Sequence, residues 1–310
     1  MQTGTAKEAQ LQSYGKRTTY LCAAIATPLD ENEGLHTEGL RAHLEDQAAA
    51  RVDGVLVAGT MGAMPLLTQR TYQQLVRASA EMWSRHGEVL VGVGDLGFER
   101  TKERIHFVNE LRVDGIVILT PYFLSYSQAE LIQYFEALAA ESRAPVYLYD
   151  LPQRTGIALE FDTIARLADH PNIAGIKCSG DLNQTRRLID SLGGSRFRVI
   201  VAQAPLLDLL LRAGIGEHVD GVFCIVPQLV RSIFSATAHA DWQLATERSR
   251  ALQGLLGLLR QYGVFAATTA ILNRRGIAGS FAPRPHQPLS PAATEKLLAE
   301  PALHNALAFD

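Results

Sequence analysis

The chain has 310 residues, of which 47% are hydrophobic, 20% charged and 7% aromatic, and this ordinary globular composition excludes a disordered or fibrous protein. Its 29 basic and 32 acidic residues give a net charge of −3 with no block of like charge, which argues against a nucleic-acid partner. No apolar run approaches the roughly 18 residues of a membrane span, and the polar residues 1–17 lack the apolar stretch of a secretory signal. We therefore expect a cytoplasmic protein with no membrane partner.

Short apolar runs alternate with amphipathic segments of helical length along most of the chain. The predicted strands are Tyr20–Thr27, Gly54–Gly59, Val89–Asp95, Gly115–Pro121, Pro145–Leu151, Ile173–Ser179, Phe197–Ala204 and Gly221–Val226. A capping box of Ser127 and Glu130 starts one of the helices between them. Strands that are apolar on both faces and separated by helices indicate a parallel sheet. Eight such units predict an α/β fold, the closed (β/α)8 TIM barrel, with a doubly wound open sheet as the alternative.

After about residue 235 the strand pattern stops and helical periodicity continues through Trp242–Tyr262 and Ala266–Leu272. A last helix is predicted with Ser290 as N-cap and Pro291 as its first residue. The predicted organisation is thus a polar N-terminal extension (1–17), a barrel (18–235) and a C-terminal helical appendage (236–310).

Cysteine and histidine spacing gives no metal motif. Cys22, Cys178 and Cys224 lie in apolar runs without CxxC spacing, which predicts buried free thiols. The nine histidines include no HExxH pattern. We therefore expect no metal site.

Lys177 is the most unusual residue of the predicted strands. It is one of only five lysines in the chain, beside twenty-four arginines, and it follows a run of small and apolar residues in the sixth strand. A buried ammonium is costly unless it is paired, and the common alternative is a neutral amine, which can form a Schiff base with a ketone. A lysine paired with a carboxylate at the barrel rim is the equally weighted alternative.

Two further segments follow predicted strands, where barrel enzymes place their active-site residues. Tyr147 and Tyr149 share one face of the fifth strand, and one of them ends it, next to the strand of Lys177. A phenol there could move protons, although a strand tyrosine is more often a core residue. Arg154, in the turn after it, could bind a carboxylate or cap a helix. After the second strand, Gly59 and Gly62 flank Thr60, and the backbone N–H groups of such a turn can bind a carboxylate, with the Thr60 hydroxyl as a further donor. An ordinary βα turn is the alternative.

Taken together, these segments resemble the dihydrodipicolinate synthase and N-acetylneuraminate lyase family of Schiff-base-forming lyases, from about Tyr20 to Leu298. The matching motifs are Ala26-Thr-Pro28, the Gly59–Gly62 turn, Thr120-Pro-Tyr122, Tyr149-x-x-Pro152 with Arg154-Thr-Gly156, Gly175-Ile-Lys177 and Pro285-x-x-Pro-Leu-Ser290. The resemblance implies a TIM barrel that usually assembles as a homotetramer, with Lys177 as the Schiff-base lysine for pyruvate or another 2-oxo acid and Tyr149 as proton shuttle. A dimer is the other assembly that we consider.

The chain also departs from the family pattern. Met61 and Ala63 replace the second hydroxyl residue and the glutamate of the family's glycine turn, so that only backbone N–H groups would hold the substrate carboxylate. Phe123 stands where the synthases have a second tyrosine that completes a proton relay, and Asp150 replaces a common asparagine. Arg154 matches the synthases, in which this arginine holds the carboxylate of the second substrate.

The leading hypothesis is a carbon–carbon lyase that binds a 2-oxo acid on Lys177 and uses an aldehyde-type second substrate, with no cofactor. The predicted catalytic residues are Lys177, Tyr149 and Thr60, and the predicted substrate-binding residues are Gly59, Met61, Gly62, Arg154 and Ile225. The alternatives are dihydrodipicolinate synthase with an altered relay, a sugar-acid dehydratase, and a non-catalytic protein that binds a 2-oxo acid.

Overall fold

In the computed structural model, which describes residues 19–194 and 196–309, eight strands form a closed barrel in the order β1 to β8. The strands are β1 (Tyr20–Ala24), β2 (Gly54–Val57), β3 (Glu88–Gly92), β4 (Gly115–Leu119), β5 (Val146–Asp150), β6 (Ile173–Cys178), β7 (Arg198–Val201) and β8 (Glu217–Asp220). The pairs β1–β2, β3–β4, β4–β5, β5–β6 and β6–β7 are parallel. The predicted (β/α)8 barrel is confirmed. The predicted extension at residues 1–17 lies outside the described residues.

Helices follow the strands and continue beyond the last one. They are α1 (Thr37–Ala49), α2 (Gln69–Trp83), α3 (Phe98–Val108), α4 (Gln128–Glu141), α5 (Pro152–Thr155), α6 (Phe161–Ala168), α7 (Leu182–Leu192), α8 (Leu207–Arg212), α9 (Pro227–Ala238), α10 (Trp242–Tyr262), α11 (Val264–Arg274), α12 (Pro291–Leu298) and α13 (Pro301–Leu307). Short 3-10 turns occur at Met64–Leu66, Ala204–Leu206 and Val222–Cys224.

Two compact units make up the chain. Of the described residues, the first contains 19–20 and 90–202, and it holds β4 to β7. Its strands are fully buried, and α4 starts with the predicted capping box, in which Ser127 Oγ accepts from Glu130 N–H and the Glu130 carboxylate accepts from Ser127 N–H.

The second unit contains the described residues 21–89 and 203–309, and therefore β2, β8 and the C-terminal helices. Helix α10 spans the predicted residues, and Ser290 caps α12 by accepting from Ala293 N–H at 3.3 Å. Helix α13 was not predicted. The boundary between barrel and appendage at residue 235 stays a prediction.

The eighth strand was predicted at the wrong residues. It is formed by Glu217–Asp220, whereas the apolar run Gly221–Val226 turns into the 3-10 helix Val222–Cys224. The Asp220 side chain accepts from Val222 N–H at 3.1 Å and so ends the strand. The sequence was misleading because a short buried apolar run has the same composition in a strand and in a helical turn.

Among the described residues no single helix is long and apolar enough to cross a membrane; α10 and α11 pass that test only as a pair bent by 120°.

Candidate active site

Lys177 is the penultimate residue of β6, and the strand register sets its neighbours. Lys177 pairs with Tyr149 of β5 on one side and with Ile200 of β7 on the other. Paired residues of parallel strands point to the same face of the sheet, so these side chains share one layer. Lys177 is 5% exposed and Tyr149 6% exposed. Nζ of Lys177 lies 4.0 Å from the centroid of the Tyr149 ring, well within cation–π range.

The alternative interpretation of Lys177 was an ion pair with a carboxylate. Lys177 forms no such pair in the described part of the chain. Its buried Nζ contacts the face of the Tyr149 ring instead. The amine is therefore not engaged by a carboxylate, and the tyrosine predicted to move protons is in direct contact with it.

The layer beneath this pair is built around Tyr147. A methyl group on Gly115 of β4 would come within 2.7 Å of the Tyr147 ring, and one on Gly175 of β6 within 3.0 Å. Both neighbouring strands thus need glycine to admit the ring. Arg198 Nη1 donates to the Tyr147 hydroxyl at 3.2 Å, and its guanidinium lies 4.4 Å from the centroid of the Tyr20 ring. This packed layer supports the strands that carry Tyr149 and Lys177.

Asp150 and Cys178 lie on the opposite face of the same two strands, because successive residues of a strand alternate. Asp150 Oδ1 accepts from Leu159 N–H at 3.0 Å, which ties the end of β5 to the segment that leads into α6. Burial raises the pKa of the Asp150 carboxyl, and the Leu159 bond partly offsets this. Burial also raises the pKa of the Cys178 thiol to about 12, so this neighbour of Lys177 stays protonated and is no nucleophile at neutral pH.

The loops after β4 and β5 carry the remaining predicted residues of this unit. Arg154 lies in the last turn of α5, is exposed, and forms no ion pair with the residues that the structure describes. Phe123 is 88% exposed and has a positive φ of 80°. Its ring has no hydroxyl, so it carries no proton relay.

In the second unit, the Gly59–Gly62 segment forms a closed turn directly after β2. Ala63 N–H donates to the Thr60 carbonyl at 3.1 Å, and the Thr27 hydroxyl donates to the Gly62 carbonyl at 2.7 Å. The N–H groups of Met61 and Gly62 donate to no residue in 19–194 or 196–309. The turn therefore offers two adjacent backbone donors, as an anion-binding turn requires.

Met61 contacts the turn that follows β8. A methyl group on Gly221 would lie 2.8 Å from Cβ and 3.1 Å from Sδ of Met61. Glycine at 221 is thus what allows the methionine side chain to lie against this turn. Ile225, four residues on, is fully buried, and it lies at the end of the 3-10 turn and not in the predicted strand.

The backbone of this turn is held by residues that sequence reasoning missed. Gln47 donates to the Cys224 carbonyl at 3.1 Å and Arg275 to the Ile225 carbonyl at 3.1 Å. Nothing in the sequence indicated these contacts, because they are made to backbone atoms by residues far away in the chain. In the described residues no group of three or more histidine, cysteine or acidic side chains is arranged to hold a metal ion.

The sequence profile of the dihydrodipicolinate synthetase family matches residues 17–306. The chain belongs to this family. Its family relatives include the 4-hydroxy-tetrahydrodipicolinate synthase of Oenococcus oeni, which is 29% identical over 90% of this chain and 96% of its own length.

Solved structures of the same fold include a dihydrodipicolinate synthase from Acinetobacter baumannii complexed with pyruvate, with a TM-score of 0.84, 24% identity and coverage of 95% of this chain and 100% of that one. The N-acetylneuraminate lyase of Proteus mirabilis has a TM-score of 0.86 at 20% identity and covers 94% of this chain and 99% of its own. Family membership places the protein among the carbon–carbon lyases.

Proposed function

We propose that the protein binds pyruvate or a related 2-oxo acid as a Schiff base on Lys177 and makes or breaks the adjacent C–C bond. The observation that carries this proposal is the buried Lys177 amine, which lies against Tyr149 and is paired with no carboxylate of the described chain. The A. baumannii enzyme of the same fold was crystallised with pyruvate. That complex supports a small 2-oxo acid as the first substrate.

In the proposed reaction the Lys177 amine attacks the carbonyl carbon of the 2-oxo acid, and water leaves as the C=N bond forms. The resulting iminium draws electrons from the neighbouring C–H bond, so that a proton departs and an enamine forms. The carbon that lost the proton then attacks the aldehyde carbon of the second substrate, and the aldehyde oxygen takes up a proton. Water finally hydrolyses the C=N bond and releases the product from Lys177; cleavage is the reverse. Tyr149 moves protons in these steps. The lysine itself is the electron sink, so the chemistry needs no cofactor.

The Gly59–Gly62 turn would bind the carboxylate of the 2-oxo acid. The support for this role is the pair of unpartnered N–H groups at Met61 and Gly62. Met61 supplies no side-chain donor, so recognition of the carboxylate would depend on the backbone, with the hydroxyl of Thr60 as the polar side chain of the turn.

The exposed Arg154 favours one second candidate, the 4-hydroxy-tetrahydrodipicolinate synthase activity named in the relatives. A free guanidinium suits a second substrate that carries a carboxylate. Phe123 argues against this activity, because it lacks the hydroxyl of the synthases' relay. Restored growth of a lysine-requiring strain that lacks its own synthase would establish the activity, and failure of an expressed, folded protein to restore growth would exclude it.

The first half of the reaction can be tested without knowing the second substrate. Enamine formation exchanges the methyl hydrogens of pyruvate with solvent, and NMR follows this exchange in D2O. We expect wild-type protein to catalyse the exchange, Lys177→Ala to abolish it, and Tyr149→Phe to slow it by about 10²-fold or more, the usual contribution of a proton-transfer group.

Lys102→Ala is the matched control. This lysine is partly exposed and paired with Glu99, so its removal should leave the exchange unchanged. Exchange that persists at the wild-type rate in a folded Lys177→Ala protein would refute the proposed function.

A further inference from the structure

A largely buried network of polar side chains holds the turn after β8, Gly221–Ile225. Arg275 and Asp46 form a two-pronged ion pair, with Nη1–Oδ2 at 2.8 Å and Nη2–Oδ1 at 2.9 Å. Their side chains are only 9% and 14% exposed. Gln228 joins both partners, donating to Asp46 Oδ1 at 2.9 Å and accepting from Arg275 Nη2 at 3.3 Å. Such a pair keeps its geometry because every rotation of the guanidinium breaks two bonds at once.

The network reaches the turn through two consecutive carbonyl groups. Arg275 Nη1 donates to the Ile225 carbonyl, and Gln47 Nε2 donates to the Cys224 carbonyl, each at 3.1 Å. Gln47 Nε2 also lies 3.3 Å from Asp46 Oδ2. The last carbonyls of a short 3-10 turn have no partner within the turn, so donors from outside decide where it sits.

The start of the same turn sets the position of Met61. The Met61 side chain lies against Gly221, close enough that a methyl group there would be 2.8 Å from its Cβ. A shift of the turn therefore displaces Met61, and with it the neighbouring N–H groups of the Gly59–Gly62 turn.

We propose that Arg275, Asp46 and Gln47 are positioning residues that set the affinity for the 2-oxo acid by fixing the Gly221–Ile225 turn. This inference rests on the proposed function, in which the backbone N–H groups of the Gly59–Gly62 turn bind the carboxylate of the substrate. The network touches no reacting atom, so it acts on how well the acid binds and not on the reactivity of the Lys177 amine.

The test is a titration of borohydride-trapped pyruvate adduct, quantified by intact mass at increasing pyruvate concentration. Arg275→Lys keeps the positive charge but loses the fork, and Gln47→Met keeps the volume but loses the donor to Cys224. We expect each variant to need about five-fold more pyruvate for half-maximal trapping, as loss of one hydrogen bond implies. At saturating pyruvate the trapped fraction should equal that of the wild type.

Arg231→Lys is the matched control. Arg231 also joins α9 to the segment after α1, through the carbonyls of Ala50 and Arg51 and the carboxylate of Asp53. It makes no hydrogen bond to the Gly59–Gly62 turn or to the Gly221–Ile225 turn. We expect unchanged half-saturation in this variant, whatever happens to its melting temperature. An equal weakening in Arg231→Lys would show a general loss of stability and overturn the proposal.

Unchanged half-saturation in Gln47→Met, or in a folded Arg275→Lys, would also overturn it. If Arg275→Lys does not fold, the Gln47→Met result decides. Absence of any adduct in the wild type is a different result: it refutes the proposed function, and this inference with it.

Discussion

At the scale of single residues, His43 has the most unusual environment outside the candidate site. It is fully buried in α1, neither ring nitrogen is bonded to a described residue, and its ring packs edge-on against Phe281 at 5.8 Å. Its pKa is lowered to about 4, chiefly by burial; the nearby Asp46 opposes this shift and Arg275 contributes to it. The folded protein thus holds this histidine neutral well below pH 6.

His43 should make the protein sensitive to mild acid. Between its unfolded pKa of about 6.5 and its folded value of about 4, only the unfolded chain binds the proton, so stability falls as pH falls through that window. The full loss is about 3 kcal/mol. We expect the free energy of unfolding of His43→Leu, measured in urea between pH 7 and 4, to fall by less than that of the wild type because this loss is absent.

His86→Leu, at an exposed position, should keep the wild-type pH dependence. A His43→Leu protein whose stability declines as steeply as that of the wild type would contradict the assignment.

Some site residues could be recognised from the sequence and others could not. Lys177 was recognisable because a lysine inside an apolar strand is rare and costly. Asp46 and Arg275 were not, because they are 229 residues apart and each alone is an ordinary charged residue at a helix. Their roles arise from the fold, which brings a fork-shaped donor to a carboxylate and to a backbone carbonyl together.

At the scale of elements, a glycine in a strand and a glycine in a helix have opposite effects on the stability of this protein. Gly175 in β6 faces the Tyr147 ring, and a methyl group there would lie 2.4 Å from the Arg198 carbonyl of β7. Gly257 in α10 has open space around it. Gly175 is required by packing, whereas Gly257 has no packing role and only makes the unfolded chain more flexible.

This contrast gives a paired prediction on the free energy of unfolding. Gly175→Ala should destabilise by about 2 kcal/mol or more, since a backbone atom must move to admit the methyl group. Gly257→Ala should stabilise by about 0.5–1 kcal/mol, the helix preference of alanine over glycine. Denaturant unfolding of both variants checks the pair, and a neutral Gly175→Ala would show that the strand spacing yields more readily than the structure implies.

The sequence predicted seven of the eight strands at nearly their observed residues because their apolar runs are bounded by turn residues. In β4, for example, consecutive Val and Ile residues strongly favour a strand. The exception, β8, has the polar sequence Glu-His-Val-Asp, so its apolar neighbour Gly221–Val226 was mistaken for it. The pattern of apolar residues alone does not distinguish a buried strand from a buried turn. In the structure, the hydrogen bond from Val222 N–H to the Asp220 side chain marks the end of the strand.

At the scale of the whole molecule, the order of strands and helices predicted the barrel, since eight strands joined by crossover helices have few ways to pair. The identity of a second substrate could not be predicted in this way. It depends on the shape of a pocket, and sequence motifs do not give that shape.

The most direct test of a Schiff base on Lys177 is borohydride reduction of the full chain in the presence of pyruvate, followed by peptide mass spectrometry. We predict one reduced pyruvate adduct, carried by the peptide that contains Lys177 and absent from Lys177→Ala. An adduct on a different lysine, or none on folded protein at high pyruvate, would contradict the claim that Lys177 is the Schiff-base residue.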